Sequence, residues 1–307
     1  MLQELARQAC ELRPADCREP ASEGGAPAAP GPIELLVLYD SERIHRRAVE
    51  SVLHSELGPA PVALAPRVIA APGMAHYALK NFGVTHATGE IVVFVDSDVI
   101  PEAGWLSGLV TPLADETIQL IGGNTYVDAT GLYSKAVALT WIFPLRQTET
   151  AIRTADRFFA NNFAARRALL AAHPFPINEG SARGACLALS RSLTALGVTI
   201  YRNPAAQAAH PAPNGMAHFI ARAIAHGRDH CAYAAPTERG MRPVTRHFYY
   251  EMRRAVTAVR RRRAAVQLTR AGVPLAAAIG AGYYVLGLTG SLATRIHPDF
   301  MKRRFQL

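Results

Sequence analysis

The chain has 307 residues, half of them apolar, and a formal net charge of +9. That length admits one large domain or two small ones, and the apolar share makes a sizeable core possible. The basic residues are nearly all arginine and cluster beyond residue 245, which points to an anionic membrane or phosphorylated substrates and away from a nucleic-acid face on the main domain. Cys10, Cys17, Cys186 and Cys231 show no paired spacing, so they read as free thiols in a reducing compartment, and the first residues carry no secretory signal.

In chain order, residues 1–12 have helical periodicity, with Leu2, Leu5, Ala6 and Ala9 on one face. Residues 14–32 are rich in Pro, Gly and Ala and read as a loop. The run from Ile33 to Tyr39 reads as a buried strand ending at Asp40, followed by a helix over 43–57. A short strand over 67–70, a turn at Pro72-Gly73 and a helix carrying Lys80 and Asn81 come next. Then Ile91-Val92-Val93-Phe94-Val95 runs without a break into Asp96-Ser97-Asp98. An uninterrupted β-branched run predicts a strand buried on both faces, and the alternation of strands and helices predicts a doubly wound, mostly parallel α/β sheet. Ligands of such sheets sit beyond the carboxyl ends of the strands. Two carboxylates there are hard oxygen ligands suited to Mg²⁺ or Mn²⁺ and, through the metal, to a phosphate.

The neighbours of this octet narrow the reading. Lys80-Asn81, Gly83, Ala87-Thr88-Gly89-Glu90, the Asp-x-Asp, and Pro101-Glu102-Ala103-Gly104-Trp105-Leu106 follow one another in an order that resembles the family 2 glycosyltransferases of GT-A fold, with Lys80 where that family usually has arginine. The resemblance runs from about residue 33 to 213. It implies a transferase taking sugar from a nucleoside-diphosphate donor, UDP-linked, with a divalent metal and inversion. On it, Asp98 is the metal carboxylate, Asp96 meets metal or ribose, Asp40 meets the nucleobase, Lys80 and Asn81 lie at the donor site, and His210 is a further metal or diphosphate contact. The chain departs from the family pattern in two places. The family's first strand has no counterpart, which implies an unpaired sheet edge at the nucleotide site and a start placed too far downstream. The family's Glu-Asp base motif is replaced by Ala185-Cys186, leaving Glu179 as the nearest candidate base. An acceptor that is already a phosphate anion would need no strong base.

The C-terminal part divides into a basic helix over 246–270, an uncharged stretch over 271–294, and a basic tail over 295–307. The uncharged stretch is long enough to span a bilayer or to form a re-entrant hairpin, and Gly272, Ala276 and Gly280 suit close helix packing. Arg260 to Arg263 read as a juxtamembrane segment against anionic headgroups, which places a domain over 33–235 on the cytoplasmic side of the cell membrane. No Gln-x-x-Arg-Trp of the processive synthases is present, so a single transfer to a lipid-linked or cell-envelope acceptor is expected. Two alternatives stay open: a degenerate transferase domain acting as a membrane-bound partner, and a haloacid-dehalogenase-type phosphatase with Asp96 as nucleophile.

Overall fold

The computed structural model describes residues 1–12, 33–57, 64–177, 184–233 and 240–304. Strand β1 (Ile33–Tyr39) is followed by helix α2 (Arg46–Leu57), after an N-terminal α1 (Leu2–Glu11). Next come β2 (Leu64–Ala70), α3 (His76–His86), β3 (Ile91–Val95), β4 (Ile100–Pro101) and α4 (Trp105–Val110). The middle of the chain gives β5 (Leu120–Val127), α5 (Leu132–Thr140), β6 (Arg153–Thr154), β7 (Asn162–Arg166), α6 (Arg167–Ala172) and α7 (Ala185–Ala195). Strand β8 (Ile200–His210) leads into α8 (Gly215–Tyr233), α9 (Met241–Arg262), α10 (Val273–Ile296) and α11 (Pro298–Arg304).

The main sheet has six strands in the order β3-β7-β5-β8-β4, with β6 paired to β8. Strands β5 and β8 run parallel, while β7 lies antiparallel between β3 and β5, so directions are mixed. Strands β1 and β2 form a separate parallel pair. Among the described residues β1 pairs only with β2 and β3 pairs only with β7. The side chains of β1 are mostly half-buried, against the fully buried run of β5. Glu34 of β1 accepts from the Thr88 backbone N–H (3.0 Å), tying the pair to the turn that feeds β3.

Each face of the main sheet has its own core. On one, Tyr77, Val84, Phe163, Leu170, Phe175 and Leu193 pack from α3, β7, the α6 region and α7. On the other, Leu5 of α1 joins Trp105, Leu106 and Leu109 of α4 against Ile121 and Ala164. Gly123 of β5 is fixed by packing: a Cβ there would sit 2.3 Å from Asn162 Oδ1 and 2.5 Å from the Ala206 carbonyl. The same Asn162 oxygen accepts from Trp105 Nε1 (2.8 Å), so the tryptophan that opens α4 is locked to the centre of the sheet.

Strand β8 extends the short strand expected near residues 198–201 as far as His210. Its alanines and Pro204 give no apolar alternation to read, and only pairing with β5 and β4 defines the strand. Helix α10 is not isolated. It packs on α5, α8 and α9, and its glycines mark the closest approaches: a Cβ on Gly280 would meet Thr140, and one on Gly287 would meet Phe248. Among the described residues one helix, Arg270–Ile296, is long and apolar enough to cross a membrane.

Candidate active site at the end of strand β3

The carboxyl ends of β3 and β8 bring together residues far apart in sequence. Asp96 follows β3 directly, and its Oδ1 receives Lys80 Nζ at 2.6 Å. Lys80 is buried (8% exposed) and lies over the Phe94 ring at 5.4 Å, so α3 delivers its ammonium through an apolar layer to one fixed oxygen. Asp96 Oδ2 faces His76 Nε2 at 3.8 Å. Burial, followed by the Lys80 charge, pushes His76 below the usual imidazole range. Replacing Lys80 by Met keeps the packing on Phe94 but leaves the carboxylate without its ammonium; the expected cost is about 1–3 kcal/mol, read from urea unfolding.

Asp98 is half-exposed, and its Oδ2 faces His210 Nε2 at 3.4 Å. His210 is buried at the last position of β8, with Nδ1 2.7 Å from the Pro211 carbonyl. A carbonyl can only accept, so Nδ1 carries the proton and the neutral ring presents a bare Nε2 lone pair to Asp98. Burial holds this imidazole below its ordinary range, which keeps that neutral form. Two acceptors facing each other require a cation or a proton between them. A histidine whose far nitrogen is fixed on a backbone carbonyl is the usual arrangement of a metal ligand. Asp98 and His210 are thus two groups that could contact a divalent cation, although among the described residues no three His, Cys, Asp or Glu side chains converge as a ready-made metal site.

Trp141 and Phe143 wall the histidine, with ring centroids 5.5 and 5.1 Å from His210. Trp141 Nε1 donates to Tyr283 Oη of α10 (3.1 Å), and the Arg222 guanidinium of α8 lies 5.2 Å from the Trp141 ring. Nothing in the sequence marked His76 or Trp141 as part of this site, whereas Arg222, with Arg228, reads from the sequence as an α8 arginine within reach of a diphosphate or on a solvated helix face. Their positions follow from the packing of α3, α5 and α8 around the ends of β3 and β8.

The other residues singled out from the sequence are placed elsewhere. Asn81 exchanges hydrogen bonds with the backbone of Phe175, donating to its carbonyl (2.9 Å) and accepting from its N–H (2.9 Å). Both ends of its amide thus clamp the chain after α6. Asp40 Oδ1 accepts from the backbone N–H groups of Glu42 (3.0 Å) and Gly73 (2.9 Å), which hold its carboxyl below the usual range. It closes the turn after β1 onto the turn after β2. Glu179 lies outside the described residues. A second polar group, not marked by the sequence, sits beside β4. Glu102 takes a two-pronged contact from Arg146 (2.9 and 2.7 Å) and a hydrogen bond from Tyr126. Burial and this carboxylate push the Tyr126 phenol up to about 12.

The fold is that of the GT-A glycosyltransferases. Residues 67–172 match the family model described as Glycosyl transferase family 2, and the chain is a glycosyltransferase carrying that family's segment on a GT-A fold. A mannosyltransferase from Pyrobaculum calidifontis, solved with GDP-Man and Mn²⁺, is 20% identical with a TM-score of 0.51, covering 87% of this chain and 78% of its own. TarS from S. aureus, solved with UDP-GlcNAc, is 12% identical with a TM-score of 0.44 over 86% of this chain and 82% of its own. A GalNAc-T7 structure with UDP, GalNAc and Mn²⁺ is 13% identical with a TM-score of 0.44; 58% of this chain matches it and spans 37% of that protein. No curated protein matches the chain. The phosphatase alternative fails on topology as well as on the family match, because the Asp-x-Asp ends a strand that follows two strand–helix units.

Proposed function

We propose that the protein transfers a sugar from a nucleoside-diphosphate donor, UDP-linked, to a lipid-linked or cell-envelope acceptor, with inversion, at the ends of β3 and β8. The observation that carries this reading is the facing pair of Asp98 and His210 at the ends of β3 and β8, two groups that a divalent cation could bridge. Mn²⁺ or Mg²⁺ bound there would offset the charge of the departing diphosphate. Asp96, oriented by Lys80, lies on the donor side of the pair, and Arg222 supplies a positive charge near the same space. Asp40 at the end of β1 is assigned to the nucleobase side. The base remains Glu179 or is dispensed with by an acceptor oxygen already ionised.

Titrating UDP into the full chain by calorimetry, with and without Mn²⁺, tests the donor reading. Metal-dependent binding is expected. Its absence from the intact chain favours the second reading, a catalytically degenerate membrane-bound partner, for which the lack of a carboxylate at Ala185-Cys186 is the motivating observation.

The helices α9 to α11 are assigned to the cytoplasmic face of the cell membrane. Support comes from the exposed arginines 260–262 at the end of α9 and the exposed Leu275, Val285, Ile296 and Phe300. Replacing Arg260, Arg261 and Arg262 by Gln should weaken sedimentation with anionic vesicles roughly a hundredfold at low salt, at ~1 kcal/mol per basic residue. Unchanged sedimentation would assign any binding to the apolar helices instead.

A further inference from the structure

Outside the proposed donor site, the side chains of Arg153, Arg157, Arg191 and Arg202, with Asp156 and Leu187, line a cavity of about 610 Å³ where β6, β8 and α7 meet. Among the described residues Arg157, Arg191 and Arg202 enter no ion pair, while Arg153 is paired with Glu149 (2.9 Å). Asp156 is the sole carboxylate on the wall. Arg202 is the centre of the group. Its Nη2 donates to the Arg157 carbonyl (3.1 Å), its Nε is buried with no partner, and its guanidinium lies 5.5 Å from the Phe159 ring. Burial and the neighbouring Arg153 and Arg157 charges hold this guanidinium below its usual range. Like charges gathered with so little compensation repel one another, and an anion in the cavity removes that cost.

The position of the cavity says which anion it serves. Phe159 packs on Phe143 (5.1 Å), and Phe143 packs on His210 (5.1 Å), so two rings separate Arg202 from the proposed metal ligand. Leu187 and Arg191 belong to α7, which begins at Ala185-Cys186. Two aromatic rings thus stand between the arginine group and the Asp98–His210 pair.

We propose that this arginine-lined cavity anchors a phosphate group carried by the acceptor, apart from the oxygen that receives the sugar. The assignment to the acceptor rests on the transferase reading above. A planar guanidinium binds two phosphate oxygens at once, and several guanidiniums around one cavity make it selective for a phosphate over a neutral sugar.

The test uses the full chain in metal-free buffer, with inorganic phosphate and geranyl phosphate as probes in calorimetric titrations. Binding of at least one probe is expected, weakened tenfold or more in Arg202→Gln and at least threefold in Arg157→Gln and Arg191→Gln, whose exposed side chains leave the fold intact. Geranyl phosphate binding tenfold tighter than inorganic phosphate identifies a lipid-borne phosphate; equal affinities identify a soluble phosphorylated acceptor. No phosphate binding by the intact chain, or binding unchanged in all of these variants, overturns the proposal. The donor reading is scored separately on the same proteins: UDP binding with Mn²⁺ should be unchanged in Arg191→Gln. A chain that binds phosphate through these arginines but never binds UDP overturns the donor reading and leaves the anion site standing.

Discussion

Asp98→Ala should abolish metal-dependent UDP binding, with a loss of at least a hundredfold in affinity, about 3 kcal/mol. Its oxygen is the exposed half of the pair with His210, so its removal takes away the site's accessible charge without opening the core. His210→Ala should cost tenfold or more in the same titration, since it removes the lone pair but leaves the carboxylate. UDP binding that is metal-dependent and equal in the Asp98 variant would move the metal site elsewhere. The same pair sets a pH dependence. His76 and His210 both have folded-state values below the imidazole reference of 6.5. The unfolded chain therefore takes up protons first, and the stability these residues contribute is fully present above pH 6.5. It is lost as pH falls below that value toward their depressed folded values. Thermal unfolding followed from pH 7.5 down to 5 should show the decline; His210→Asn should reduce its steepness.

The second large effect is expected far from the carboxylates, at the contact of α8 with α10. A Cβ on Gly227 would lie 1.8 Å from the Gly287 carbonyl, and one on Gly290 would lie 2.1 Å from the Ile224 carbonyl. Neither backbone can yield without separating the helices, so Gly227→Val or Gly290→Val should destabilise the protein by about 3 kcal/mol or more in urea unfolding. The consequence reaches the site, because α10 carries Tyr283, which holds Trp141, which walls His210. Metal-dependent UDP binding should weaken together with stability. Gly282→Ala is the matched control: nothing lies within 4 Å of its Cβ, and exchanging Gly for Ala in a helix interior should stabilise by up to about 1 kcal/mol. Equal behaviour of the two substitutions would mean that α10 moves freely against α8.

These contacts change how the C-terminal helix is understood. An uncharged stretch with regularly spaced glycines reads equally well as a bilayer span or as a packed helix. Here the close packing is made within the chain, onto α5 and onto α8, and α8 continues directly from β8, which carries His210.

The sequence by itself determined the core of this protein. The run Ile91 to Val95 reads as a strand, its position after two strand–helix units put Asp96 and Asp98 at the mouth of an α/β sheet, and the flanking residues carried the family resemblance; the strand forms, but at the sheet's edge with only Val92 buried rather than buried on both faces. Those signals are local, since each depends on spacing along one strand or helix. Tertiary structure alone decided the rest. That β7 enters antiparallel, that Asn81 clamps Phe175, and that β8 carries His210 to Asp98 all depend on pairing between segments more than 80 residues apart for Asn81 and more than 100 for His210. Periodicity records which side of an element is apolar, but not which partner covers it. The arginine cavity lay equally beyond it, because residues 153, 157, 191 and 202 form no motif until β6 pairs with β8 and α7 closes over them.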